Sequence, residues 1–220
     1  MIKLFCGYEP REALGFHVFT HSVLRHASKP VSLTPLNSRG MPYGTNEFTY
    51  SRFLVPWLCG FQGHAIFADA SDMLMLDDIA ELDNLFDSRY AVQVVQRRDY
   101  ETQNPVKYRG TSMECKNRNY PRKNWASLMI FNCKHIAWNG LNPVTIQRLA
   151  NVGLLQLDFL VDTEIGRLPA SWNVIVDEGD PVKGAQILHW TAGIPAFPEY
   201  ARAPGAEHWF DAHREMVKLP

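Results

Sequence analysis

Disulfide frames, membrane spans and a dominant charge are all missing from this 220-residue chain. Its four cysteines, Cys6, Cys59, Cys115 and Cys133, lie far apart and form no C-x-x-C pair. That spacing excludes a disulfide scaffold or a zinc site and predicts reduced thiols, as in a cytoplasmic protein. No apolar run reaches the roughly 18 residues of a transmembrane helix. The opening residues meet Tyr8, Glu9, Arg11 and Glu12 too soon for the apolar stretch of a secretory leader. With 22 basic against 23 acidic residues the net charge is -1, so no global field exists to hold nucleic acid or an anionic membrane. The G-x-S-x-G of serine hydrolases and the phosphate loop G-x-x-x-x-G-K-[ST] are absent. No G-x-G-x-x-G follows the first apolar run, which disfavours a dinucleotide fold. Neither internal repeats nor low-complexity tracts occur.

What remains is an ordinary globular composition, 46% hydrophobic and 20% charged, at a length suited to one α/β domain over residues 1–220. Ile2 to Phe5 reads as a buried first strand ending in Cys6-Gly7-Tyr8. Pro10 suits a first helical turn, and helical spacing (Leu14, Val18, Leu24) runs from Arg11 to Ala27, stopped by Lys29-Pro30. Val31 to Leu36 predicts a second strand. Thr45 and Asn46 could cap a helix reaching Leu58, bent or shortened at Pro56. His64 to Ala68 predicts a central strand running into Asp69-Ala70-Ser71-Asp72, with a short helix over Asp78 to Leu85. Further strands are expected over Ala91–Val95, Ser127–Phe131 and Gln186–Trp190. This alternation predicts an α/β fold with a largely parallel sheet, whose ligand sites lie at carboxyl ends of strands. Residues 97–124 are poor in apolar side chains and rich in Arg and Lys, which suits a long basic loop or lid as well as a solvated excursion. From Gly193 onward, mixed proline, aromatic and charged residues predict a segment wrapping the surface.

Two carboxylates closing a buried strand, Asp69 and Asp72, can share a hard divalent cation such as Mg²⁺ or Mn²⁺, or can simply cap a turn. His189, in His189-Trp190-Thr191-Ala192-Gly193, could supply a third ligand or be a core-edge histidine bonded to a carbonyl. Gly193 would let backbone N–H groups approach a phosphate. His17 and His21 stand one helical turn apart but lack the H-E-x-x-H pattern. Trp125, Trp172 and Trp190 could stack on a sugar or belong to the core.

Taken together and in order, Cys6-Gly7-Tyr8-Glu9-Pro10-Arg11-Glu12, Thr49-Tyr50-Ser51-Arg52-Phe53, Asp69-Ala70-Ser71-Asp72-Met73, Asn124-Trp125-Ala126-Ser127, Asp162-Thr163-Glu164 and His189-Trp190-Thr191-Ala192-Gly193 resemble the family 8-like glycosyltransferases. The resemblance spans residues 2 to about 195. It implies a GT-A fold, a nucleotide-binding α/β sandwich with a mixed, mostly parallel central sheet flanked by helices. It implies transfer of a sugar, with retention, from a nucleotide-sugar donor (UDP by family habit) to a glycan or other hydroxyl acceptor, using Mn²⁺ or Mg²⁺. Carried over by motif, Asp69, Asp72 and His189 would bind the metal. Cys6, Gly7 and Tyr8 would lie under the nucleotide, with Ser71 and Gly193 also at the donor. Arg52 would approach the nucleotide or its diphosphate, and Ala126 and Ser127 would flank the donor sugar. Asp162 would hold sugar hydroxyls near the reacting carbon, as nucleophile or as orienter. Three departures stand out: D-x-x-D replaces D-x-D, Ile194-Pro195 stands where the family has a lysine, and Thr163 follows Asp162 in place of glutamine. A base from residues 97–123 would then have to bind the phosphate. Two other readings compete: a nucleotide- or glycan-binding module of the same fold, and a haloacid dehalogenase-type phosphohydrolase, whose D-x-D-x-[TV] strand is absent.

Overall fold

The computed structural model describes residues 1–37, 40–42 and 44–218. Strand β1 (Ile2–Gly7) is buried except at Lys3, as its short apolar run predicts, and it pairs in parallel with β2 (Val31–Leu36) and β3 (His64–Ala68). The latter is followed by β4 (Met73–Met75), β5 (Val92–Val94) and two short strands, β6 (Val106–Lys107) and β7 (Cys115–Lys116). Strands β8 (Leu128–Asn132), β9 (Ile165–Arg167), β10 (Val174–Ile175) and β11 (Ile187–His189) complete the set. The central sheet has the order β2-β1-β3-β8-β5-β9 and is mixed but mostly parallel, with β8 antiparallel to both its neighbours. Alternate residues divide its two faces. Phe5, Phe67 and Met129 enter one apolar cluster, and Leu4, Ile66 and Ile130 the other.

Helix α1 (Ala13–His26) covers the second face, burying Phe16, Val18, Phe19 and Val23. Leu14 and Leu24, expected on that apolar stripe, face solvent instead. The helix has two neighbours: Phe16, Phe19 and Val23 meet the central sheet, while Val18 joins a separate cluster with Leu74, Leu188 and Trp190. That cluster belongs to a second sheet, β10-β11-β4; β11 falls within the strand expected over Gln186–Trp190, whereas β4 and β10, of three and two residues, carry too little periodicity to be read from sequence.

The remaining helices are short: α2 (Val55–Leu58), α3 (Ile79–Asp83, capped by Asp78), α4 (Pro143–Leu149) and α5 (Val152–Leu155). The helix expected from Thr45 to Leu58 is a correction. Residues 51–54 form a 3₁₀ turn and only α2 is α-helical, because Pro56 can occupy a first helical turn but not an interior. The C-terminal segment also departs from expectation. It carries α6 (Ala206–Met216), which buries Trp209 against the second-sheet cluster. Among the described residues no helix is long and apolar enough to cross a membrane.

Residues 97–124 are not a bare excursion. Strands β6 and β7 pair as a small antiparallel ribbon, and Tyr108 beside it is fully buried, its hydroxyl donating to Asn46. Thr102 and Asn104 hydrogen-bond to Glu178 and to the Asp177 carbonyl. The segment is thereby fastened to Asn46 and to the turn after β10.

Candidate active site

The chain leaves β3 at Ala68 and makes one 3₁₀ turn, Ala70–Asp72, before entering β4. In a 3₁₀ helix residues i and i+3 eclipse, so the D-x-x-D spacing puts Asp69 and Asp72 on one side of the turn. The amide of Asp72 closes this turn on the Asp69 carbonyl at 3.2 Å. Pairing of β4 with β11 sets His189 opposite Met73, next to Asp72. Ligand atoms of Asp69, Asp72 and His189 consequently lie within 4.8 Å of one another, all three residues buried.

Tight packing supports the turn. Gly15 of α1 has no room for a side chain, since a Cβ there would stand 2.1 Å from the Ser71 carbonyl oxygen. The Ser71 hydroxyl accepts from the Glu9 amide and donates to the Gly7 carbonyl, joining the turn to the β1–α1 connection. Arg52 lies beneath Asp69. Its Nε donates to the Thr49 carbonyl and its NH1 to the Ala126 carbonyl, while its guanidinium rests over Phe48 and Phe67. The same NH1 is 2.9 Å from Asp69 Oδ1, an ion pair without hydrogen-bond alignment.

Three atoms meet at the centre of the cluster, and of these only Asp69 Oδ1 has a cation, Arg52, beside it. Asp69 Oδ1 and Asp72 Oδ1 are buried and have no hydrogen-bond donor. His189 Nε2 lies 3.3 Å from Asp72 Oδ1. Its other ring nitrogen contacts Asn173 Oδ1 at 2.8 Å. The orientation of Asn173 follows from its neighbours: Ser127 Oγ spends its proton on the Asn124 carbonyl, so it can only accept from Asn173 Nδ2. Asn173 Oδ1 therefore faces the ring and takes a proton from Nδ1, so that the neutral ring directs its Nε2 lone pair at Asp72. Two carboxylate oxygens and an imidazole lone pair converging without a donor suit a hard divalent cation. Burial raises the Asp69 carboxyl to about 7 against the pull of Arg52, with the charge of Asp72 adding to the rise.

The cluster opens into a small cavity of about 80 Å³ lined in part by Arg52, Lys107, Ala126, Ser127 and Thr191. Lys107, Thr49, Tyr120 and Leu155 also line a wider cleft of about 770 Å³. Sequence reasoning expected a base from the 97–124 segment without being able to choose one of eight; Lys107 is the one that reaches the cluster. Asn173 and two carboxylates went unnoticed. Asp177 accepts from the Ala192 amide and the Thr191 hydroxyl, and burial raises its carboxyl. Glu12 is buried with neither oxygen bonded, and burial followed by the charge of Asp72 holds its carboxyl well above the usual range. No local motif marks Asn173, Asp177 or Glu12; only the register of β10 and β11 and the close fit at Gly15 would have drawn attention to them.

The other expected residues sit around this centre. Cys6 is fully buried, and burial pushes its thiol far up. Gly7 lies under Phe48, where a Cβ would be 2.5 Å from the ring. Tyr8 packs edge-on against Phe16. Gly193 meets the Tyr200 ring, 2.5 Å from where its Cβ would be. None of these four lines the small cavity, whereas Arg52, Asp69, Asp72, Ala126, Ser127 and His189 all do. Asp162 is not brought to the cluster. It is exposed, paired with Arg122, and borders a separate cleft of about 760 Å³ that includes Arg97, Tyr100 and Trp125.

Comparison with solved structures gives the fold. The galactosyltransferase LgtC, solved with donor and acceptor sugar analogues, matches 100% of this chain and 98% of its own at a TM-score of 0.63 and 13% identity. The bifunctional glycosyltransferase WbbM matches at a TM-score of 0.60 and 14% identity; this chain spans about half of it, 51%. The fold is that of the GT-A-like glycosyltransferases. In sequence, Protein CDI of Arabidopsis thaliana is 35% identical over 232 aligned residues, covering 98% of this chain and 87% of that protein, and the chain belongs to the family of Protein CDI. No family model matches the chain.

Proposed function

We propose that this protein is a divalent-metal-dependent glycosyltransferase of the family 8-like kind, moving a sugar from a UDP-sugar to a glycan or other hydroxyl acceptor with retention. One observation carries the reading: two donorless carboxylate oxygens and an oriented imidazole lone pair converge at a strand end. Asp69, Asp72 and His189 are the residues to hold Mn²⁺ or Mg²⁺, which when bound supplies a Lewis acid for the leaving diphosphate. Lys107 adds a positive charge at the same cavity and takes the place of the lysine missing after Gly193. Arg52 fixes Asp69 and the Ala126 carbonyl, so its part is positioning. Cys6, Gly7, Tyr8, Ser71 and Gly193 shape the donor cradle from behind, and Ala126 and Ser127 border the donor sugar.

In the reaction the anomeric carbon–oxygen bond to the phosphate breaks, its electron pair leaving with the diphosphate. The acceptor hydroxyl oxygen bonds to that carbon on the same face and its proton passes to a diphosphate oxygen. Asp162 would orient the sugar, or act as nucleophile in two inverting steps; either role requires it to exchange Arg122 for the substrate. The ribbon over residues 97–124 excludes water, whose attack would release free sugar. A cytoplasmic setting with free thiols belongs to the same proposal.

The place of Asp162 favours a second reading, a nucleotide- or glycan-binding module of this fold, because that carboxylate stands outside the cluster. Incubation with UDP-sugars and a saccharide panel decides between them, the anomeric product being read by NMR. Retained transfer that stops with a chelator supports the enzyme. Metal-independent transfer would contradict it, and binding with neither transfer nor donor hydrolysis would favour the module.

A further inference from the structure

The wide cleft beside the cluster carries more positive charge than a donor diphosphate needs. Four cations line it, Lys107, Lys116, Arg118 and Lys123, and among its described lining residues there is no Asp or Glu. Lys123 is 6% exposed and its ammonium donates only to neutral acceptors, Asn117 Oδ1 and the Arg118 carbonyl. Burial and then the charge of Lys107 lower Lys123 to about 8. Glu178, the carboxylate whose charge acts on Lys123, is occupied by Thr102, the Gln103 amide and Asn104. A buried ammonium beside another positive charge, with no carboxylate bonded to it, is costly unless an anion joins them.

Resting on the transferase reading, the charges can be assigned. A nucleotide sugar brings one negative charge per phosphate. The divalent ion and Lys107 meet that demand after Asp72 is counted, since Arg52 and Asp69 offset each other. Lys116, Arg118 and Lys123 are surplus, and none of them lines the small cavity. The same cleft holds Asn119 and Asn124, whose amides suit hydroxyl groups, Asn124 Nδ2 being buried without a hydrogen-bond partner. We infer that this cleft is the acceptor subsite and that the acceptor is an anionic saccharide, bearing a carboxylate or a phosphate, which Lys116, Arg118 and Lys123 recognise.

The test is calorimetry on the full chain saturated with UDP and Mn²⁺, titrated with glucose 6-phosphate, methyl glucuronide and neutral methyl glucoside. Both anionic sugars are expected to bind at least about tenfold tighter than the neutral one, the equivalent of one charge-assisted contact. The tighter of the two identifies the anionic group. Lys116 and Arg118 are exposed, so their joint replacement, Lys116→Ala/Arg118→Ala, is tolerated by the fold. It should remove the advantage while UDP·Mn²⁺ affinity stays within about twofold. Equal binding of all three sugars, displacement of the anionic sugars by UDP, or a parallel loss of UDP affinity in the double variant would each overturn the inference. Failure of the wild type to bind UDP·Mn²⁺ is a different result, and it would sink the transferase reading and the acceptor role together.

Discussion

Replacing Asn173 with alanine should cripple the metal site without touching a ligand. Asn173 is fully buried and makes two side-chain hydrogen bonds of 2.8 Å, one to His189 Nδ1 and one to Ser127 Oγ. In Asn173→Ala the ring must either leave Nδ1–H unsatisfied or shift its proton to Nε2, where it blocks the cation. An unsatisfied buried donor costs about 1–3 kcal/mol. Loss of such an outer partner lowers metal affinity by about 10–100-fold, about 1.4 to 2.8 kcal/mol of binding free energy. Asn173→Asp separates orientation from packing: its carboxylate still accepts from Nδ1–H, so affinity should stay near wild type even though the Ser127 contact is lost. The assay is Mn²⁺ titration followed by calorimetry or by manganese EPR. Equal Mn²⁺ affinity in wild type and Asn173→Ala, or an equal loss in both variants, would refute the reasoning about the imidazole tautomer.

Further outcomes follow from the same geometry. Because Asp69 titrates at about 7 in the folded protein and must shed its proton to bind metal, Mn²⁺ affinity should fall about tenfold per pH unit below 7 and level off above it; a flat profile from pH 5.5 to 8 would contradict the assignment. The apo protein binds more protons at Asp69 and Glu12 than the unfolded chain does. It should therefore lose stability as pH rises from the ordinary carboxylate range through 7, visible as a lower urea midpoint at pH 8 than at pH 5. Gly15→Ala forces α1 away from the Ser71 carbonyl and should cost about 1–3 kcal/mol, lowering Tm by roughly 2–4 °C per kcal/mol in a chain of this size; an unchanged thermal scan would refute that close contact. Lys107→Ala should weaken UDP binding about 10–100-fold, the loss of one charged hydrogen bond, while Mn²⁺ binding alone stays the same.

The parts of this molecule that could be read from sequence are those whose signal is local. The apolar runs over Ile2–Phe5 and His64–Ala68 are β1 and β3, and both Asp69-Ala70-Ser71-Asp72 and His189 fall at strand ends as expected. Spacing could not show that these ends are neighbours; that depends on the antiparallel pairing of β4 with β11, each three residues long. It also could not show that D-x-x-D brings its carboxylates together, because this requires a 3₁₀ turn rather than a strand, in which i and i+3 diverge. Lys107 was hidden among seven other bases, and only the ribbon that buries Tyr108 selects it. Asn173 carries no chemistry of its own and becomes functional through His189. The Thr45–Leu58 stretch has helical spacing over much of its length, yet Pro56 limits the α-helix to its last turn. Helix α6 was masked by the proline-rich approach before Ala206, although Trp209 and Ala212 mark its buried stripe.

The central claim is a cation site that holds a nucleotide diphosphate, and the most direct measurement is calorimetric binding of UDP with and without Mn²⁺, in wild type and Asp72→Asn. The account predicts UDP binding that requires Mn²⁺ and is lost in Asp72→Asn. Mn²⁺-independent UDP binding, or unchanged Mn²⁺-dependent binding in the variant, would contradict it.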